Sequence, residues 1–372
     1  MSGLVLNRAG LELPRQTYDL LVVGGGLLGL ALAFYLRRLS PEATLLVAEQ
    51  DGIPSELGAT WAAPGLVLPA RERPAEAAWG WRTLAGLEAE TAREAKTAVR
   101  RGKALEPVGL LDFGTEHREA ENGDGGERSP LEALPLDTEQ RAAVAALLGP
   151  SARAARYEDR AGYASAEAVA LAYGHGAVAQ GADLLLNARL RPLGPGRFEA
   201  ERLEYDRDMV RGVAARSRVD ALTVVLAAGA ATPRLVESLA LERAPYRLAY
   251  RQYPRLERDA RLPLAAGRVR LPLLRASGFV LRPQGEGLLI VPPPLPPDPL
   301  GYEPVGGELM GVRVGLRREL LESLLEASET LPVLGWPRLN LGKTPAHLRG
   351  AWEVVTPSGL PEWRAFGDVY AL

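Results

Sequence analysis

Two hydrophobic periods alternate along the first fifty residues. Leu20-Leu21-Val22-Val23 is an unbroken apolar run, as expected of a strand buried on both faces. It breaks at Gly24-Gly25-Gly26 and resumes as an apolar helix over Leu30–Leu39. A second run, Leu45-Leu46-Val47-Ala48, then ends on Glu49. This order predicts a βαβ unit over residues 18–50. The stretch 1–17 carries no period and is expected to be a ragged lead-in.

The later pattern is mixed. Residues 71–105 are rich in Ala, Glu and Arg and read as helical, with Trp79 and Trp81 packing inward. Residues 114–130 are polar and turn-rich, an exposed loop in which His117 is solvated. A short helix is expected over 137–149, closed by Gly149-Pro150. Ala166–Ala179 reads as a helix ended by Gly181-Ala182, with a strand over Asp183–Asn187 and a strand pair near 197–219. Leu222-Thr223-Val224-Val225-Leu226-Ala227-Ala228-Gly229-Ala230 reads as a buried parallel strand whose C-terminal end meets a ligand. From 245 to 315, strands alternate with proline turns, including Pro292-Pro293-Pro294, which suggests an antiparallel sheet in a second domain. Apolar residues at 316, 320, 321, 324 and 325 predict an amphipathic helix over Leu316–Ser328.

The run Leu20–Leu36 is nearly all apolar, and Ala31-Leu32-Ala33 mimics a signal cleavage site. Glu12 and Asp19 spoil a basic n-region, the three consecutive glycines 24–26 interrupt the run, and it is short of the ~20 residues of a membrane helix. An exported or membrane-spanning segment is therefore not expected. The 372 residues suggest roughly two domains, and 47% hydrophobic content supports a large core. A net charge of −2 gives no global attraction to nucleic acid or lipid. With no Cys, disulfides, thiolate metal sites and cysteine nucleophiles are excluded, which fits a cytoplasmic protein. His117, His175 and His347 are far apart and form no HxH or HExxH pair, so a metal site has no support.

The chemistry lies in Gly24, Gly26, Gly29 and Glu49. Gly24 permits the tight turn, Gly26 lets backbone N–H groups reach a pyrophosphate, and Gly29 lets the helix pack on the strand. The helix N-terminus adds partial positive charge beneath the phosphates. Glu49 stands where a carboxylate accepts from both ribose hydroxyls, which favours FAD or NAD over NADP. Gly58-Ala59-Thr60-Trp61-Ala62-Ala63-Pro64-Gly65 suits a backbone passing close to a ligand, although taken alone it reads as a plain surface loop.

In their order and spacing these residues resemble the D-amino acid oxidase/glycine oxidase superfamily of FAD enzymes, over most of the chain. The resemblance implies that the glycine turn with Leu28, and Glu49 with Gln50, hold FAD. It also implies that Gly58, Ala59, Thr60, Ala63 and Gly65 lie along the pyrophosphate and flavin. Ala161-Gly162-Tyr163 and Gly181-Ala182-Asp183 resemble a second FAD-side unit, Leu190 falls at a main-chain contact to adenine, and Ala228 and Gly229 end the family's "VVLAAGA" strand. Gly278–Pro283 and Gly287–Val291 resemble the strands that wall its substrate pocket. The implied reaction is hydride transfer from the carbon beside an amine to the flavin, followed by imine hydrolysis and reoxidation by oxygen or another acceptor.

Two departures stand out. Relatives hold the substrate carboxylate with an Arg a few residues before a Thr-x-x-Gly-x-Pro stretch. Here that stretch is Thr356-Pro357-Ser358-Gly359-Leu360-Pro361, and the Arg position holds Glu353. A carboxylate cannot make the guanidinium clamp; it would repel a glycinate-type substrate and suit an ammonium or polyamine. The run Gly367-Asp368-Val369-Tyr370-Ala371-Leu372 reads as the strand before a flavin-capping turn and helix that are absent here, so Val369–Leu372 is expected to be an edge in need of a partner. Tyr250, Arg251 and Arg282 are the remaining candidate substrate-side residues.

The expected fold is α/β: a Rossmann-like FAD-binding domain with an inserted mixed or antiparallel substrate domain. The FAD part comprises 1–80, 155–240 and 345–372, and the substrate part 81–154 and 241–344. The expected activity is FAD-dependent oxidation of a C–N bond in a small amine or amino acid. No nucleic acid or membrane partner is expected, and an oligomer is compatible with the sequence. A non-catalytic flavin- or nucleotide-binding relative and an NAD-dependent dehydrogenase stand as alternatives.

Overall fold

The computed structural model describes residues 2–7, 10–68, 106–113, 129–149, 152–154, 156–206, 209–242, 246–256, 270–294, 316–329, 331–335, 339–340, 348–358 and 361–372. The expected helix 71–105 with Trp79 and Trp81, the loop 114–128 with His117, His347, and Gly359-Leu360 lie outside the described residues.

The chain opens with β1 (Val5–Leu6) and β2 (Thr17–Val23), then α1 (Leu27–Leu39), β3 (Leu45–Ala48), the short α2 (Ala59–Ala62) and β4 (Leu66–Val67). The first sheet orders its parallel strands as β1, Asp183–Leu185, β3, β2, Met209–Leu226 and Val369–Ala371. Its apolar runs are continuous because both faces are covered. On one side Val22, Leu45 and Val47 pack with Leu30, Ala33 and Phe34 of α1 and with Ala170 and Ala177 of the helix Ala166–Ala179. On the other, Leu21, Val23, Leu46 and Val224 pack with Phe198, Val219 and Val236. The long strand Met209–Leu226 serves two ladders. Its first part pairs antiparallel with Arg197–Asp206, and its last turns parallel to β2.

Three expectations change here. The lead-in is not ragged: β1 pairs in parallel with Asp183–Leu185, and the Asp183 carboxylate accepts from the Leu4 N–H at 3.0 Å and the Tyr18 hydroxyl at 3.1 Å. The dinucleotide helix starts at Leu27, three residues before the periodic pattern shows it. Val369–Ala371 is not an edge, because Phe366-Gly367-Asp368 reverses the chain, with Gly367 at φ 64°, and lays Arg364–Phe366 antiparallel along its outer side.

The second large sheet joins Arg247–Leu256, Gly287–Val291, Phe279–Gln284, Leu273–Ala276, Leu110–Asp112 and Arg156–Glu158. Leu348–Val355 and Leu339–Asn340 also pair with Arg247–Leu256. It is antiparallel apart from the pair Leu273–Ala276 with Leu110–Asp112. Strand alternation gives it two distinct faces. Leu274, Phe279, Leu281, Leu288 and Ile290 enter a core with the helices Thr138–Leu148 and Arg318–Ala327. In the latter helix Leu320, Leu324 and Ala327 reach that core; Leu321 and Leu325 are exposed, so the apolar stripe is narrower than the pattern suggests. The opposite face of the sheet turns toward α2, Leu66, Leu68 and Ala161-Gly162-Tyr163. Among the described residues no helix is long and apolar enough to cross a membrane.

Candidate active site

The glycine turn lies at the C-terminal end of central β2, where the chain leaves for α1 with β3 on one side and Met209–Leu226 on the other. This is the topological position at which open α/β sheets bind ligands. Gly24 has φ 113°, and a Cβ there would stand 2.3 Å from the Ala227 carbonyl oxygen and 2.9 Å from the Ala228 Cα. Ala227-Ala228 therefore passes directly behind the turn. A Cβ on Gly29 would stand 2.0 Å from the Gly24 oxygen, so helix and turn touch backbone to backbone. In front of the turn there is room: a Cβ on Gly26 would approach only Thr60 Oγ1, at 3.2 Å, and one on Gly229 would meet nothing within 4 Å.

Gly26 is the N-cap of α1, and Leu30 N–H is the first to bond back, to the Gly26 oxygen at 3.0 Å. Leu27 N–H donates instead to Thr60 Oγ1 at 2.9 Å. The amides of Gly26, Leu28 and Gly29 are left without an intrahelical acceptor, as the first turn of any helix requires. The Leu28 side chain projects into solvent beside them.

Glu49 closes the other end. Its Oε2 accepts from Gly25 N–H at 2.6 Å and its Oε1 from Asp51 N–H at 3.1 Å. Burial pushes this carboxyl up, opposed by backbone N–H donors, Asp51 first, then Gly25 and Gln50. A carboxylate offers about four acceptor sites, so three N–H donors leave it room for an outside hydroxyl. The segment beyond it is pinned as well: Ala188 N–H donates to the Glu49 main-chain carbonyl, and Ser55 Oγ donates to Asp51 Oδ2 at 2.9 Å. Gln50 is exposed beside it, and Leu190 is buried in the strand Ala188–Gly194 at the margin of the sheet.

The Gly58–Gly65 segment is no surface loop. Gly58 caps α2, Thr60 ties α2 to α1, Ala63 N–H closes the helix on the Ala59 oxygen, and Gly65, at φ 64°, crosses Ala164 so closely that a Cβ would stand 1.9 Å from its oxygen. Ala62 then packs on Tyr253, Leu289 and Ala351 of the second sheet. The strand Leu348–Val355 runs beside both α2 and the turn Gly229–Ala231. Two separate links thus bring Glu353's strand to the glycine-rich end of the first sheet.

Glu353 pairs in register with Ala249, and Ala351 with Arg251, so Arg251, Tyr253, Ala351 and Glu353 share the face turned to α2. Tyr253 donates its hydroxyl to Glu353 Oε1 at 3.1 Å, and Arg251 Nε stands 3.5 Å from Oε2. Burial pushes the Glu353 carboxyl up, opposed first by the Arg251 guanidinium and then by the Tyr253 hydroxyl. Burial also drives the Tyr253 hydroxyl far above its usual range, and the adjacent carboxylate adds to the rise. Glu353 is thus not the isolated negative charge that its position in the sequence suggests. Tyr250 stands on the opposite face at 1% exposure, its ring 5.2 Å from that of Trp352. Arg282 aligns across the sheet with Leu289 and Arg255, and its guanidinium stacks 4.4 Å from the Tyr163 ring. Tyr253 and Asp51 were not singled out from the sequence. Strand alternation could have placed Tyr253 beside Arg251, but nothing local marks the register that brings it to Glu353.

Among the described residues no cluster of His, Cys, Asp or Glu could hold a metal ion. The donors fit an adenine dinucleotide: a glycine cradle open at Gly26 and Gly229, free first-turn amides, and a carboxylate with acceptor capacity to spare.

Comparison with known proteins agrees. The family model described as FAD dependent oxidoreductase matches residues 19–327. The fold is similar to that of glycine oxidase from Geobacillus kaustophilus, at 20% identity over 96% of this chain and 89% of that one, with a TM-score of 0.65. It is also similar to L-proline dehydrogenase from P. horikoshii, at 17% identity over 96% and 87%, with a TM-score of 0.64. L-amino acid deaminase from Proteus vulgaris shares 13% identity over 98% and 91%, with a TM-score of 0.63. No curated protein matches the chain in sequence.

Proposed function

The chain belongs to the family of FAD dependent oxidoreductases, and on that premise we propose that it oxidises the C–N bond of a small amine or amino acid. The observation that carries this reading is the meeting, across α2, of the dinucleotide cradle with a sheet face bearing Arg251, Tyr253 and Glu353. The amides of Gly26, Leu28 and Gly29 and the partial charge of α1 would hold the pyrophosphate. Glu49, held still by Gly25 and Asp51, would take the ribose hydroxyls. Gly58, Ala59, Thr60, Ala63 and Gly65 give the backbone that lines the cofactor, Ala228 and Gly229 back it, and Leu190 and Gln50 flank the adenosine end.

FAD, when bound, accepts a hydride from the carbon beside the amine, and the protein orients the two. Arg251 and Glu353 supply opposite charges for positioning a substrate, Tyr253 fixes one carboxylate oxygen, and the apolar surface of Ala62, Leu289 and Ala351 around them excludes water. Arg282, stacked on Tyr163, walls the same face.

The test is the visible spectrum of the purified protein, followed by anaerobic addition of an amine and amino-acid panel. A flavin band bleached by one class of compound is the expected result. A stoichiometric flavin that no member reduces would identify a non-catalytic flavoprotein and overturn the proposal.

A further inference from the structure

Among the described residues, the part of Arg247–Leu256 that carries Arg251 and Tyr253 has a ladder partner on one side only. Residues 247–254 pair with Leu348–Val355, whereas Gly287–Val291 and Leu339–Asn340 join the strand only at Arg255 and Leu256. A second attachment comes from Arg317, the N-cap of the helix Arg318–Ala327. Its backbone N–H donates to Gln252 Oε1 at 2.8 Å, and its Nη1 donates to the Tyr250 carbonyl at 3.2 Å. Both contacts are buried, with the Arg317 side chain and Gln252 each 1% exposed. Gln252 alternates with Arg251 and Tyr253 along the strand, so Arg317 grips the back of the surface whose front meets Glu353.

Helix stability does not account for this arginine. A cation at a helix N-terminus opposes the helix dipole, and a guanidinium gives up its hydration on burial. Glu319 in the first turn offsets part of that charge, its Oε2 accepting from Nε at 3.3 Å. A planar guanidinium donates to the strand and to Glu319 at once from one rigid fork, which an ammonium on a flexible stem does not reproduce. We propose that Arg317, acting with Gln252, is a positioning residue for the substrate side: from behind the sheet it holds the singly paired strand in the place where Arg251 and Tyr253 reach Glu353. Arg317 itself touches no ligand in this role. The assignment rests on the reading of this sheet face as the substrate side of an amine-oxidising site.

The test follows the Glu353 carboxyl by carbon NMR of FAD-loaded protein labelled at the glutamate side-chain carboxyl, with Glu353→Gln to assign the signal. The charged or titratable groups that meet this carboxyl are Arg251 and Tyr253; α2 and the turn Gly229–Ala231, which lie beside its strand, bring none. Both partners hold Glu353 down, so a strand released from Arg317 lets it titrate higher. Arg317→Lys and, at the other end of the contact, Gln252→Leu are each expected to raise its titration by about one pH unit. Each is also expected to weaken the apparent Kd of the amine that bleaches the flavin about tenfold, with the limiting reduction rate changed less and FAD affinity within about twofold of wild type. Leu324→Ala is the control for a merely structural role. It hollows the core contact of the same helix away from Arg317, and should lower Tm while leaving the Glu353 titration in place. An unmoved titration in both variants, or an equal shift in Leu324→Ala, overturns the positioning role. So does failure of both variants to fold, which would make the contact a requirement of the whole sheet. The two readings fail separately. If an amine bleaches the flavin but neither variant moves Glu353 or the apparent Kd, the positioning role is wrong and the oxidation stands. If both variants move Glu353 but no amine or amino acid bleaches the wild-type flavin, the oxidation is wrong and Arg317 still positions this face.

Discussion

Replacing Gly29 by Ala sets two effects against each other, and the geometry decides between them. Gly29 lies in the first turns of α1, where alanine is favoured over glycine by about 1 kcal/mol in helix propensity. Against this, the new Cβ would stand 2.0 Å from the Gly24 oxygen and 3.3 Å from Val22 Cγ1. The nearer obstacle is backbone in a turn that is itself pressed on Ala227, so it cannot rotate away. Restoring an acceptable separation requires α1 to retreat by about 1 Å, in a core where overpacking costs about 1–3 kcal/mol. The net expectation is a loss of up to about 2 kcal/mol. The shift also pulls Leu27 from Thr60 Oγ1 and displaces the amides at the helix start, so FAD affinity is expected to fall about tenfold or more. Gly174→Ala is the matched control. It too is helical and faces α1, but its nearest neighbours would be the Leu30 methyls at 3.4 and 3.5 Å, ordinary contacts. It is expected to be neutral or stabilising by up to about 1 kcal/mol, with FAD affinity unchanged. Urea denaturation of the apoprotein and flavin-fluorescence titration measure both quantities. A Gly29→Ala protein as stable as wild type with an unchanged FAD Kd would refute the close-approach argument.

Other outcomes follow from the same geometry. Thr60→Val keeps the shape of the side chain but removes the acceptor for Leu27 N–H; it should cost about 1 kcal/mol in denaturation and weaken FAD binding, and unchanged values would show that the cap contributes nothing. Tyr253→Phe removes the donor to Glu353 Oε1 and should destabilise by about 1–2 kcal/mol. Because that hydroxyl holds the Glu353 carboxyl down, its loss should move the acid limb of any turnover profile to higher pH, and an unmoved limb would separate Glu353 from the reaction. Asp19 accepts from the Thr44 N–H at 2.7 Å and the Thr44 hydroxyl at 2.8 Å, and these bonds, the N–H first, hold its carboxyl below its usual value. Its stabilisation is therefore present above the ordinary carboxylate pKa and lost as pH falls through the lowered folded value. The Tm gap between wild type and Asp19→Ala should be full at neutral pH and vanish in acid; a gap independent of pH contradicts this.

The elements built on local rules were readable along the chain. Helix Ala166–Ala179 has the expected bounds, Thr138–Leu148 sits inside its expected range with a capping box at Asp137 and Gln140, and the βαβ unit with Gly24, Gly29 and Glu49 lies where its spacing places it. In these cases periodicity, caps and glycine sterics act within a few residues, so adjacent letters suffice. The folding of the Gly58–Gly65 segment under α1 was not readable locally, since its partners Leu27 and Ala164 lie on other elements. Neither was the covering of Val369–Ala371 by Arg364–Phe366, which depends on how tightly one glycine turns. The charge state of Glu353 is the clearest case. The sequence alone determined that a carboxylate occupies this position. Only the tertiary structure decided that Arg251 and Tyr253, the latter 100 residues away, share its face. A shift of one residue in strand register would send them to opposite sides of the sheet, and the observed register is the one that packs Ala351 and Tyr253 against Ala62 of α2, an element far off in the sequence.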